Sequence, residues 1–194
     1  MSLRYDQARF EASYGNASSI PEPAMPEVAF AGRSNVGKSS LLNKLVGRKA
    51  LAKVSGTPGR TANINFFEVD GIYLVDLPGY GFAKVSKAEQ RRWAQLISDY
   101  FAQERSFNLV VALVDIRHDA QRLDVQMLDF LRESELPFVV ALTKADKLSR
   151  AKQERQRSRL TTQFGLDRDQ VIVTSAQTGQ GIDALKRRIE DACL

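Results

Sequence analysis

The sequence predicts a layered α/β fold: a mostly parallel six-stranded sheet with one antiparallel strand and helices on both faces. Three observations carry this. From Glu27 onward, short apolar runs alternate with longer amphipathic ones, the pattern of strands joined by crossover helices. The short runs are almost continuously apolar, as strands buried on both faces are. One pair is joined by Asp70-Gly71, a two-residue hairpin signal that reverses the chain and sets one strand against the rest.

Taken in order, residues 5–14 mix aromatics with charges and are expected to pack on the body as a short helix or strand. Residues 18–26 carry three prolines and read as an extended tether. The chain therefore divides into an N-terminal extension and tether, residues 1–26, and a domain, residues 27–194. Within the domain, strands are expected at 28–31, 64–69, 72–75, 109–114, 138–142 and 171–173. Helices are expected to begin near Lys38, Lys87, Leu123, Ala151 and Gly181.

At 194 residues with 43% hydrophobic content, one core can form without disulfides or metals. The single cysteine, Cys193, is next to the C-terminus and is expected to be exposed or frayed, which implies a reducing compartment. No C-a-a-X box follows it. No apolar run approaches the roughly 20 residues of a membrane span, and the N-terminus lacks a leader's basic and apolar regions. A cytoplasmic monomer engaging neither membrane nor DNA is expected. The net charge of +5 biases the surface toward polyanions. His118, the lone histidine, has no second metal ligand nearby and is expected on the surface, while Trp93 and Tyr100 are expected to pack.

The chemistry lies at strand ends. Gly32-Arg33-Ser34-Asn35-Val36-Gly37-Lys38-Ser39 matches G-x-x-x-x-G-K-[ST] between a strand and a helix. In such a loop, backbone N–H groups wrap phosphates, Lys38 reaches the terminal phosphates and the Ser39 hydroxyl ligates Mg²⁺. Asp76-Leu77-Pro78-Gly79 follows another strand, aiming the Asp76 carboxylate at the Mg²⁺ and γ-phosphate positions. Thr143-Lys144-Ala145-Asp146 caps a third. There the Asp146 carboxylate would accept from guanine N1–H and N2–H₂, a donor pair adenine lacks, with the Lys144 stem along the base. After the last strand, Ser175-Ala176 would offer backbone N–H to the guanine oxygen.

The stretches 32–43, Gly56-Thr57-Pro58-Gly59-Arg60-Thr61, 76–81, 143–146 and Thr174-Ser175-Ala176 resemble the translation-factor class of GTPases. Within it they resemble the EngB family (also called YihA or YsxC) of bacterial ribosome-assembly GTPases, from about Arg9 to the C-terminus. The resemblance implies a Ras-like P-loop domain that binds GTP with Mg²⁺ and hydrolyses it. It implies action in assembly of the large ribosomal subunit, with rRNA and the subunit precursor as partners and a link to growth and division. It adds Ser40, Gly59 and Thr174 to the nucleotide site. It makes Thr61 the switch I threonine, on Mg²⁺ and the γ-phosphate, and puts Lys38, Thr61, Gly79 and Asn35 at the reacting phosphate, where the Asn35 oxygen would help hold K⁺.

Two departures from the Ras-like pattern stand out. Tyr80 replaces the water-orienting glutamine, which implies slow intrinsic hydrolysis. Thr143 replaces an asparagine whose amide braces the phosphate loop, which implies modest affinity. Basic residues gather in two patches: Lys84, Lys87, Arg91 and Arg92, and Lys144, Lys147, Arg150, Lys152, Arg155, Arg157 and Arg159. Each is either a solvated face or an RNA contact. The reading is a GTP-hydrolysing switch in large-subunit assembly. The rivals are a sensor that barely turns over and a signalling or division-site GTPase without RNA.

Overall fold

The structure, a computed structural model of the whole chain, describes residues 2–52, 63–81 and 85–194. Seven strands form one sheet: β1 (Arg9–Tyr14), β2 (Glu27–Gly32), β3 (Ile64–Val69), β4 (Ile72–Asp76), β5 (Phe107–Asp115), β6 (Phe138–Thr143) and β7 (Val171–Val173). Their order is β1-β3-β4-β2-β5-β6-β7. β3 runs antiparallel to both neighbours, β1 and β4, and the remaining pairings are parallel. Asp70 and Gly71 turn the β3–β4 hairpin with φ of 46° and 91°, the left-handed pair a tight two-residue turn needs.

The count is seven rather than six. Residues 9–14 add an outer strand on β3, fixed by pairings from Arg9↔Glu68 to Tyr14↔Ile64 and by Phe10 edge-on to Phe67 at 5.9 Å. β1 is exposed or half-buried along its length; its sequence does alternate, Phe10, Ala12 and Tyr14 against Arg9, Glu11 and Ser13, but over six residues only, too short a run to separate a strand from a short helix.

Five helices begin within a residue of their expected starts: α1 (Lys38–Leu45), α2 (Lys87–Phe101), α3 (Arg122–Glu133), α4 (Arg150–Gln163) and α5 (Ile182–Cys193). Serines cap two of them, Ser86 accepting from Glu89 N–H at 3.2 Å and Ser149 from Lys152 N–H at 3.4 Å. α1 and α5 cover one face of the sheet through Leu41, Leu42 and Leu45 and through Ile182, Leu185 and Ile189. α2, α3 and α4 cover the other through Leu96, Ile97, Tyr100, Leu128, Leu131 and Leu160. Trp93 and Tyr100 are packed as expected, at 6% and 0% exposure.

Cys193 departs from expectation. It is the last residue of α5, half-buried against the core, and burial pushes its thiol up to about 11.

The tether is tied down at Glu27, where β2 begins. The Glu27 carboxylate is fully buried and accepts two Arg105 nitrogens at 2.6 and 3.0 Å and the Tyr100 hydroxyl at 2.8 Å. Arg105 also donates to the Pro21 carbonyl at 2.8 Å. The buried charge is thus fully bonded, as its burial requires.

Candidate functional site

Loops at the C-terminal ends of the parallel strands meet at one edge of the sheet, beside β2, where connections diverge to β4 on one side and β5 on the other. Ligands of open α/β sheets bind at such a switch point. The loop 32–37 leaves β2 there and enters α1 through Gly37, whose φ of 100° is left-handed and so favours glycine. Ser39 and Ser40 follow in the first turn of α1.

Lys38 sits in that first turn, its ammonium on the Asp76 carboxylate that ends β4; both side chains are nearly buried. Gly79 lies against the phosphate loop so closely that a Cβ would fall 3.1 Å from Ser34 Cα. Any side chain there would collide with backbone. Two backbone bonds zip the segments together, Ser34 N–H to Tyr80 O at 2.7 Å and Tyr80 N–H to Gly32 O at 3.2 Å.

Asn35 stands exposed at the loop's crest with φ of 64°. Its carbonyl accepts Lys144 Nζ at 2.7 Å. Its side chain makes no bond to the loop's own backbone among the described residues.

Thr143 corrects an expectation. Its hydroxyl donates to Val36 O of the phosphate loop at 2.7 Å and lies 3.3 Å from Val114 O, both bonds buried. A shorter side chain does the bracing expected of an amide, so this replacement gives no ground for weak nucleotide affinity.

The other base-side residues are brought together as expected. Asp146 accepts the Ser175 hydroxyl at 2.7 Å, which orients its carboxylate. Thr174, fully buried, donates from N–H and hydroxyl to Leu142 O and accepts Ala145 N–H at 3.1 Å. Ser175 N–H, expected to face the base, donates instead to Gln180 O at 2.9 Å. Of that pair only the Ala176 N–H has no acceptor among the described residues. Gly59 and Thr61 lie outside the described residues, as does Lys84.

Three supporting residues, Gln153, Asp115 and Asp124, carried no motif. Gln153, in the first turn of α4, donates to Ala145 O at 2.8 Å and Leu148 O at 3.1 Å and accepts Gln180 Nε2 at 2.8 Å, tying both base loops to one helix. Asp115, at the end of β5, holds Lys144 Nζ at 3.0 Å and Arg117 at 2.8 Å. Burial would raise its carboxyl, but the Arg117 and Lys144 bonds outweigh that and hold it near about 2.

Asp124 lies within electrostatic reach of Arg33 of the phosphate loop. Asp124 lies in the first turn of α3, 4% exposed, with Oδ1 unpartnered, and Arg33 Nε is unpartnered too. Burial, opposed by Arg33, pushes the Asp124 carboxyl up to about 6. Burial and Asp124 also push the half-buried Tyr80 phenol up. A carboxyl at the front of a helix was a possible cap signal in the sequence; its partners on the phosphate loop and at Tyr80 were not visible there.

The sequence pattern of the family described as "50S ribosome-binding GTPase" matches residues 27–144. A "Probable GTP-binding protein EngB" of Desulfotalea psychrophila is 47% identical over 184 residues, 94% of this chain and 95% of the relative. The chain belongs to the EngB family of GTP-binding proteins. A second EngB relative, from Gemmatimonas aurantiaca, is 50% identical over 166 residues, covering 85% of this chain and 81% of its own. A crystal structure of a probable GTP-binding protein EngB shares 30% identity at a TM-score of 0.72, covering 86% of this chain and 98% of that one. The EngB chain is therefore a Ras-like GTPase whose ligands are GTP and GDP.

His118 is exposed as expected, and among the described residues no cluster of His, Cys, Asp and Glu could hold a metal. No helix of the described residues is long and apolar enough to cross a membrane.

Proposed function

We propose that the protein is a Mg²⁺-dependent, GTP-hydrolysing switch acting in assembly of the large ribosomal subunit, needed for normal growth and cell division. The observation that carries this is the convergence of the phosphate loop, the Asp76–Gly79 segment and both base loops on one sheet edge, in a chain of a family described as 50S ribosome-binding.

The phosphates lie along the N–H groups of residues 33–39, with Lys38 on the terminal phosphates. Gly79 N–H, on the segment zipped to Ser34, reads the γ-phosphate. Asp146 and Ala176 read guanine, with Lys144 along the base. Ser39 and, through water, Asp76 supply the hard oxygen donors Mg²⁺ prefers, Thr61 completing the set. These residues would hold the ion, which when bound would supply positive charge against the transferring phosphoryl group. With Tyr80 where a glutamine orients water, hydrolysis is slow until a partner engages. The side-chain oxygen of Asn35, unclaimed by its own loop, suits K⁺ as a further positive charge. Equal turnover in K⁺ and Na⁺ at one ionic strength, together with an inert Asn35→Ala, would remove that ion from the mechanism.

The test is sedimentation of the monomeric protein with large ribosomal subunits in the GTP-analogue and GDP states, alongside single-turnover hydrolysis with and without subunits. GTP-dependent co-sedimentation and faster turnover are expected. Equal partitioning in both states, or no association, would leave a signalling or division-site GTPase as the reading.

A further inference from the structure

Helix α4 is out of proportion to its burial. Of its 14 residues only Gln153 and Leu160 are buried, and it carries five Lys or Arg against one Glu. A helix polar nearly all round carries its charge in internal ion pairs, on a solvated face or against an outside partner. Internal pairs do not account for it. Glu154 is taken by Arg168 at 2.6 Å. Arg157, expected in the surface patch, turns inward and donates to Arg168 O and Val171 O at 3.0 and 2.9 Å. Arg159 pairs with Asp119 at 2.8 Å. Among the described residues no carboxylate pairs with Arg150, Lys152 or Arg155, and all three are exposed.

Two of these cations face a groove of about 720 Å³ between α4 and the β5–α3 connection, lined by Arg117, His118, Leu148, Lys152, Arg155 and Arg159 among others. Positions 152, 155, 156 and 159 share one helix face by their spacing. The walls are stapled together: Gln156 donates to His118 O at 3.0 Å, and Gln163 accepts Ala120 N–H at 3.0 Å. The one acid on the lining, Asp119, is neutralised by Arg159. Among the described residues Leu148 is the only apolar side chain on the lining, which does not suit a lipid surface. A fixed trough with unmatched cations and a flat imidazole matches a ribose-phosphate backbone, whose charges recur along its length.

We propose that this groove seats the phosphodiester backbone of large-subunit rRNA, with Lys152 and Arg155 on phosphates. The proposal rests on the ribosomal reading above and names the face that meets the RNA. The groove is distinct from the nucleotide pocket but adjoins it, because Asp115 holds Arg117 on the groove side and Lys144 on the base side.

The experiment compares wild type with Lys152→Gln/Arg155→Gln, and with Lys49→Gln/Arg187→Gln, which removes the same charge from exposed residues on the α1–α5 side. Each is loaded with a GTP analogue and titrated against large subunits and against protein-free large-subunit rRNA at several salt concentrations. Losing two phosphate contacts should weaken both interactions by about 10- to 100-fold near 0.1 M salt and flatten the log–log salt slope by about 1.5 to 2. The control pair should change neither, and analogue affinity should be equal in all three proteins.

Wild-type-like binding by the groove variant, or an equal loss in the control pair, overturns the groove. Loss on subunits but not on free rRNA overturns RNA as the occupant and points to an acidic ribosomal protein. Wild type that binds neither partner overturns the ribosomal reading and the groove with it, and is told from a failure of the groove alone by the wild-type arm.

Discussion

Asp124→Asn is expected to stabilise the protein above pH 6 and to do little at pH 4. The carboxyl is 4% exposed, and burial raises it from 3.8 to about 6 in the folded chain even with Arg33 opposing. An acid whose folded value is raised favours folding fully below its unfolded value, and that contribution is lost as pH rises through the folded value. The window is therefore about pH 4 to 6, and two units amount to about 3 kcal/mol. Asparagine keeps the shape and the neutral state, so it should escape the loss. The assay is urea unfolding of nucleotide-free wild type and variant at pH 4.5 and 7.5, with thermal melts beside it. The variant's advantage should grow by about 2 to 3 kcal/mol between the two pH values, or roughly 5 to 10 °C in Tm for a chain of this size. The difference between the proteins removes other titrations, including that of Asp115, which runs in the opposite direction. An Asn variant whose difference from wild type is the same at pH 7.5 as at pH 4.5 would show that Arg33 and the Gln121 N–H offset burial at the Asp124 carboxyl, and the reasoning would fail.

Thr143→Val keeps the volume but removes the donor to Val36 O. It should cost about 1 to 2 kcal/mol in GDP affinity or stability, read by calorimetric titration and urea unfolding, whereas no change in either would deny the brace. Asp146→Asn should weaken GTP and shift preference toward xanthosine nucleotides, whose position 2 matches an amide; full GTP selectivity in competition binding would unseat the base assignment. Arg105→Ala leaves the fully buried Glu27 charge without its bidentate partner and should cost about 3 to 5 kcal/mol in urea unfolding. A cost under about 1 kcal/mol would mean that the Tyr100 hydroxyl alone suffices for that charge.

Much of the fold was legible because its signals are local. The β3–β4 reversal is written in two residues with positive φ, and the helix starts in serines and glycines that cap them. β1 was only half legible, as a short helix or strand, because its alternation of Phe10, Ala12 and Tyr14 with polar residues runs for six positions only and the partner that defines it lies 50 or more residues away. Arg157 and Ser175 misled for a related reason. Residue type gives a side chain's reach and a backbone's donors, but the acceptors that claim them, Val171 O and Gln180 O, arrive from other elements. At Thr143 the error was to equate a role with a residue type. The loop needs a donor at Val36 O, and a hydroxyl 2.7 Å away serves.

The stretch between Asp115 and Asp124 shows where motif reading stops and physical reading goes on. It contacts no nucleotide by any motif, yet the acids at its two ends bracket the β5–α3 connection and engage opposite parts of the site. Asp115 fixes Lys144, which in turn reaches Asn35 O of the phosphate loop. Asp124 faces Arg33 and Tyr80, the two residues of the bridge that zips the Gly79 segment to that loop. Between them, residues 118–120 are bonded to α4 through Gln156, Arg159 and Gln163. The base side and the switch side of the pocket are thus wired to one connection, and a partner bound in the α4 groove has a covalent and electrostatic route to both.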